Sequence, residues 1–368
     1  MVEAEQEIRD QEQDGQLRQL EIALRKQWRL GQNMVLCAAL DPSGLLTIVV
    51  PHYFLGHFTT ASSDAARDSN ETFIRSVISG SRLKTHQEIF AVSRRLGVST
   101  SFIKLDQPLS ETPQALAAAD AVIRRYGIGF VERRAVLLFD IAEFSLYSPF
   151  EQASQLNSLS YSMNSAHSKL QRQGVDVNFA RTTTGDGYYV WNRDVGPFPD
   201  FDLLLFLLLV LLDNAVAKTE ASGNTVPTIR AAYHIGSHYE LFQAEGIDPT
   251  VFSYIVGDVT IRLARLLADA KAGQCLLGNF SAELPGQDGL HGPSAFVTAA
   301  LAELADLRNL QVGGQPLGKI RPIAGSSGSE TPQILDVVAK HGLELAAENL
   351  QLDVDWGQRS LTIGIAPP

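Results

Sequence analysis

Two aspartates carry the chemistry that can be read from this sequence. Asp140 follows the run Ala135-Val-Leu-Leu-Phe139, five apolar residues leading without a polar break into a single carboxylate. Asp186 sits in Thr182-Thr-Thr-Gly185-Asp186-Gly187, between glycines that let backbone or ligand approach closely. Brought close together, the two carboxylates would repel, and one would titrate upward. A divalent cation between them removes the conflict. Two carboxylates completed by phosphate oxygens are how hard cations are held for phosphoryl chemistry. Each aspartate also has a plainer reading, Asp140 as a turn cap and Asp186 as part of an ordinary Gly-Asp-Gly turn.

The surrounding residues indicate how the two are positioned. The apolar run fits a strand buried on both faces. Ser148-Pro149-Phe150-Glu151 then reads as a helix start, with Ser148 as N-cap, Pro149 at N1 and Glu151 completing a capping box. A buried strand therefore ends in a carboxylate, turns tightly and enters a helix over 149–172. A strand is expected near 175–183. Gly185-Asp186-Gly187 turns it into the returning strand Tyr188-Tyr-Val-Trp191. An apolar helix at 201–217, a strand at 228–236, a helix at 258–270 and a strand at 274–278 follow. This β-α-β-β-α-β order predicts an α+β, ferredoxin-like domain.

Bulk properties narrow the function. At 368 residues, two or three domains are expected. With 45% hydrophobic and 19% charged residues the chain is globular. A net charge of −11 argues against nonspecific nucleic-acid or anionic-membrane binding. Two cysteines, Cys37 and Cys275, give neither a disulfide framework nor a zinc motif, which suits a reducing compartment. Glu3, Glu5 and Glu7 are unlike a signal peptide, and the apolar run Leu203–Leu212 has about half the length of a membrane span. A cytoplasmic protein with a buried helix there is expected.

Residues 1–130 show no recognisable chemistry and are expected to be regulatory or dimer-forming. They hold an amphipathic helix interrupted at Gly15, a hairpin around Asp41-Pro-Ser-Gly44, helices at 71–78 and 84–96, and a helix opened by Thr112-Pro113. Residues 131–280, where strands and helices alternate, are expected to form the central domain, to which the family resemblance below assigns catalysis, and 281–368 a small accessory unit. In the last, 279–294 reads as loop, 295–310 as helix, 325–330 as linker, and 334–338 and 361–365 as strands. Gly313–Lys319 fits a P-loop spacing, but Ile320 stands where Ser or Thr is needed, so the match is chance. His234 and His238 lack a third ligand nearby and read as structural.

In order, Ala135–Ser145, Gly185-Asp186-Gly187, Ile229-Arg-Ala-Ala-Tyr-His-Ile-Gly236 and Ile255-Val-Gly-Asp-Val-Thr-Ile-Arg-Leu-Ala-Arg265 resemble the motifs of class III nucleotide cyclases. Ala270–Leu277 resembles the strand after that family's arginine helix. The resemblance implies a head-to-tail homodimer with composite sites, a nucleoside triphosphate substrate and two metal ions, Mn²⁺ or Mg²⁺. Asp140, Asp186 and the carbonyl of Ile141 would hold the ions. The loop Ala142–Ser145, including Phe144 and Ser145, would wrap the phosphates. Arg265, from the other protomer, matches the transition-state arginine; taken alone it reads as a surface arginine in a salt bridge.

The departures concern the base and ribose. The family's ribose-binding asparagine falls on Ile261, which cannot hydrogen-bond. The base-selecting positions fall on Thr182 and Tyr254, which match neither the adenine nor the guanine pattern. Base pockets discriminate through their donors and acceptors. The expected substrate therefore leans to UTP or CTP, resembling the pyrimidine cyclases of bacterial anti-phage signalling. The alternatives are a purine cyclase with a divergent pocket and an inactive nucleotide-binding module.

Overall fold

The structure, a computed structural model, describes residues 2–60, 63–245, 248–307, 310–323, 333–339 and 343–365. The linker expected at 325–330 lies outside them. The chain divides into two compact units, Met1–Glu132 with Tyr239–Ile255, and Arg133–His238 with Val256–Pro368.

The first unit opens with α1 (Val2–Trp28), followed by β1 (Asn33–Asp41), β2 (Gly44–Pro51), α2 (Phe54–Thr59), α3 (Asp64–Ile78), α4 (His86–Leu96), β3 (Ser101–Lys104) and α5 (Pro113–Arg124). The strands form an antiparallel sheet in the order β1-β2-β3. Two expectations are corrected. Gly15 does not interrupt α1, because a single glycine costs a helix only about 1 kcal/mol. The helix expected at 71–78 begins earlier, at Asp64, because Ser63 Oγ accepts from Ala66 N–H and starts α3 there. The Thr112 cap with Pro113 opens α5 as read from the sequence.

The remaining elements are β4 (Ile128–Ile141), α6 (Pro149–Arg172), β5 (Phe179–Thr183), β6 (Gly187–Asn192), α7 (Pro197–Glu220), β7 (Ile229–Glu245), β8 (Asp248–Val256), α8 (Asp258–Ala268) and β9 (Cys275–Gly278). After them come β10 (Ala282–Glu283), β11 (Leu290–His291), α9 (Pro293–Asp306), β12 (Gln311–Val312), β13 (Gln315–Pro322), β14 (Gln333–Ala339), β15 (Leu343–Leu350), β16 (Leu352–Trp356) and β17 (Arg359–Ile363). The main sheet runs β14-β15-β9-β7-β4-β6-β5, with β8 pairing β7; a second sheet runs β12-β13-β16-β17. One end of the main sheet, β7-β4-β6-β5, is the ferredoxin-like arrangement, with α6 and α7 as the two connecting helices. The α+β expectation therefore holds. The stretch read as loop at 279–294 contains the small β10–β11 pairing. Lys319 lies in strand β13, which confirms that Gly313–Lys319 is no P-loop.

Burial explains the local choices. In β4, Ala135, Leu137 and Phe139 pack with the leucines of α7, while Val136 and Leu138 are buried on the other face. Residues Leu203 to Leu212 are buried all round, as expected of a helix inside a core. Among the described residues, no helix is long and apolar enough to cross a membrane. The capping box read at Ser148 is present: Ser148 Oγ accepts from Glu151 N–H, and the Glu151 carboxylate accepts from Ser148 N–H at 2.9 Å.

One buried carboxylate ties α7 to β4. Asp200, 2% exposed, accepts from Ala135 N–H at 2.6 Å. Burial pushes its pKa up to about 6, against the pull of Ala135 N–H, Arg133 and Arg134. Between about pH 4 and 6 the folded chain therefore holds a proton that the unfolded chain has lost. The contribution to stability falls across that window, by about 3 kcal/mol. Asp200→Asn keeps an acceptor for Ala135 N–H and cannot ionise. Urea melts from pH 4 to 7.5 are expected to show a flatter profile for the variant and higher stability at neutral pH. An unchanged slope would rule out this origin.

Candidate metal and phosphate site at the end of β4

The two aspartates meet across a strand pair. Asp140 is the register partner of Gly187 in the antiparallel β4–β6 ladder, which puts Asp186 beside the strand end. A side chain at 187 is impossible, because its Cβ would lie 1.9 Å from the carbonyl oxygen of Phe139. Gly185 turns the hairpin at φ +103. Backbone bonds pin the strand end on both sides: Ile141 N–H donates to Asp186 O, and Ala142 N–H to Thr228 O, each at 2.9 Å.

The chain then bends through Glu143, a non-glycine residue in the left-handed region (φ 58, ψ 23), into a 3₁₀ turn over Phe144–Leu146. Leu146 and Tyr147 donate back to Glu143 and Phe144. The N–H groups of Glu143, Phe144 and Ser145 precede that ladder. A left-handed residue followed by a right-handed turn aims successive N–H groups into a concavity suited to an anion. Phe144 is half-buried against the core and Ser145 is exposed.

Electrostatics fit a cation here. Burial raises the pKa of Asp140; Arg230 opposes that and the nearby charge of Asp186 adds to it. Arg230, on the neighbouring strand β7, donates Nε to Asp140 Oδ2 at 2.7 Å and places Nη2 against the same oxygen. Among the described residues no group of three or more His, Cys, Asp or Glu could hold a metal by itself. The protein thus brings two carboxylates, both hard oxygen donors, to the end of β4. Mg²⁺-type ions are commonly held by one or two carboxylates, with phosphates and water filling the rest.

The other expected residues fall on different elements. Ile261 and Arg265 are four apart on α8, hence on one face; Ile261 is 49% exposed and Arg265 half-buried. Thr182 on β5 pairs with Tyr189, whose hydroxyl donates to Thr260 O at 3.0 Å and so links the hairpin to the first turn of α8. Tyr254 lies on β8, in the first unit, 40% exposed. His234 and His238 are buried. Burial and then Arg262 lower the His234 pKa to about 4, so its ring is neutral, in keeping with a structural role. Sequence reasoning passed over Arg230. The available signal was a lone cation opening a strand otherwise built of Ala, Tyr, His and Ile.

No protein-family model matches the chain, and no curated protein does. Among solved structures, the guanylate cyclase domain of RhGC from Catenaria anguillulae in complex with GTP is 14% identical. That match covers 60% of this chain and 97% of that one, at a TM-score of 0.36. The adenylyl cyclase CyaB from P. aeruginosa is 11% identical over 61% of this chain and 95% of its own, at a TM-score of 0.37. Likeness at this level carries no argument about the chemistry, and the fold rests on the strand order.

Proposed function

We propose that the chain is a nucleotide cyclase, converting a nucleoside triphosphate to its 3′,5′-cyclic monophosphate and pyrophosphate. The observation that carries this reading is the meeting of Asp140 and Asp186 beside the N–H concavity of Glu143–Ser145. Asp140, Asp186 and the Ile141 carbonyl are the ligands for Mn²⁺ or Mg²⁺, and the loop N–H groups take the phosphate oxygens. When bound, the ions ease loss of the 3′-hydroxyl proton and offset charge on the departing pyrophosphate. The 3′-oxygen then bonds to the α-phosphorus as the bond to pyrophosphate breaks. Arg265, contributed across a head-to-tail homodimer, places fixed positive charge where phosphate charge develops. Residues 1–130 regulate or help to pair the protomers, and 281–368 are an accessory unit.

Base choice leans to a pyrimidine, in a cytoplasmic second-messenger role of the anti-phage kind. Ile261 brings no hydrogen-bonding group, and Thr182 and Tyr254 carry hydroxyls in place of either purine pattern. The test is purified protein with Mn²⁺ and each of ATP, GTP, CTP and UTP, with products identified by mass. A cyclic pyrimidine is expected. A cyclic purine would keep the enzyme and overturn the base. No product from any of the four would favour an inactive nucleotide-binding module.

A further inference from the structure

Arg230 makes four contacts that join two places. Nε and Nη2 grip Oδ2 of Asp140, while Nη1 donates to Leu267 O at 3.4 Å and Ala270 O at 3.2 Å. Leu267 O lies in the last turn of α8 and Ala270 O two residues past its end at Ala268, where a helix runs out of internal donors and a cation is favoured. Arg265 sits in the same last turn. The opposite end of α8 is held separately. Gly257 N–H donates to Thr260 Oγ1 at 3.1 Å, Tyr189 holds Thr260 O, and Arg262 pairs with Asp258 at 2.6 Å.

We infer that Arg230 is a positioning residue that couples cation binding at Asp140 to the last turn of α8, and so to the setting of Arg265. This rests on the reading above that Asp140 takes a divalent cation. A dication arriving at the carboxylate repels the guanidinium gripping Oδ2. As that grip weakens, Ala270 O loses the Arg230 donor, Leu267 O is left with its main-chain donor Ala270 N–H, and the turn loosens, while the anchored first turn stays put. A lysine at 230 would place a charge near Asp140, but it lacks the planar fork that reaches carboxylate and carbonyls together.

Hydrogen exchange on the full chain, with and without Mn²⁺ and without nucleotide, tests this alongside calorimetric Mn²⁺ binding. In the wild type, Mn²⁺ is expected to speed exchange of the amides over 265–270 roughly fivefold, the scale of one lost helix-end hydrogen bond. The amides over 258–262 should not change. In Arg230→Lys the last turn should exchange fast from the start and ignore Mn²⁺, and Arg230→Gln provides a second variant if the lysine form melts early. Asp140→Asn should abolish the response. Mn²⁺ binding without an exchange response, or a wild-type response in both Arg230 variants, overturns the coupling alone. No Mn²⁺ binding by the wild type overturns the metal assignment and the coupling together.

Discussion

Asp186→Ala is expected to cut turnover about a thousandfold and to leave the fold in place. The side chain lies at a hairpin tip, where among the described residues it accepts only from Thr184 Oγ1 at 3.3 Å. The bond that matters to the fold there, Ile141 N–H to Asp186 O, uses the main chain and survives the substitution. Gly185 and Gly187, not Asp186, carry the turn's steric demands. The chemical loss is much larger. On the proposed reading the cations would lose half of their charged protein ligands, and a few kcal/mol of transition-state stabilisation corresponds to roughly 10³-fold in kcat. Asp140→Ala would be the poorer probe, since it strands the guanidinium of Arg230 in a half-buried place. Melting curves and a product assay run side by side make the check. Unchanged activity would mean that the hairpin carboxylate holds no catalytic cation.

What could be read ahead of the structure was the part fixed by local chemistry. The five-residue apolar run, the Ser148–Glu151 capping box and the Gly-Asp-Gly turn each depend on residues adjacent in sequence, and together they predict the strand end, the loop and the helix that frame the site. The Arg230–Asp140 pair depends instead on β7 lying beside β4, a matter of sheet order that no local window reveals. Strand β15 shows the same limit from the side of propensity. Leu343-Glu-Leu-Ala-Ala-Glu-Asn-Leu350 is composed mostly of good helix formers, yet it pairs antiparallel with both β14 and β9. The backbone of β9 needs a partner, and burial of Leu345, Ala347 and Leu350 outweighs the helical preference. Strand β7 also continues to Glu245, beyond the expected end at Gly236, because pairing with β8 satisfies a polar stretch that lacks an apolar alternation. For the base-selecting positions the sequence told which groups are absent, not which groups replace them.

Arg265→Ala is expected to lower kcat by roughly 10³-fold with little change in KM, since a fixed cation aimed at developing phosphate charge acts on the transition state more than on the bound substrate. Its position on the half-buried face of α8 suggests only a modest cost in stability. The loss by itself does not show which protomer the arginine serves, but mixing does. If each site takes Asp140 and Asp186 from one chain and Arg265 from the other, a heterodimer of Asp186→Ala and Arg265→Ala gathers both lesions in one site and leaves its second site whole. Random re-pairing of equal amounts makes half of the dimers mixed, each with one intact site of two, so about a quarter of wild-type activity should return. The mixture should be assayed after dilution and re-concentration, so that the chains exchange. Two inactive proteins that together give back activity can do so only by sharing a site. If the mixture stays dead while size-exclusion chromatography shows that the chains have exchanged, Arg265 and Asp186 act within one protomer, and the head-to-tail assignment falls.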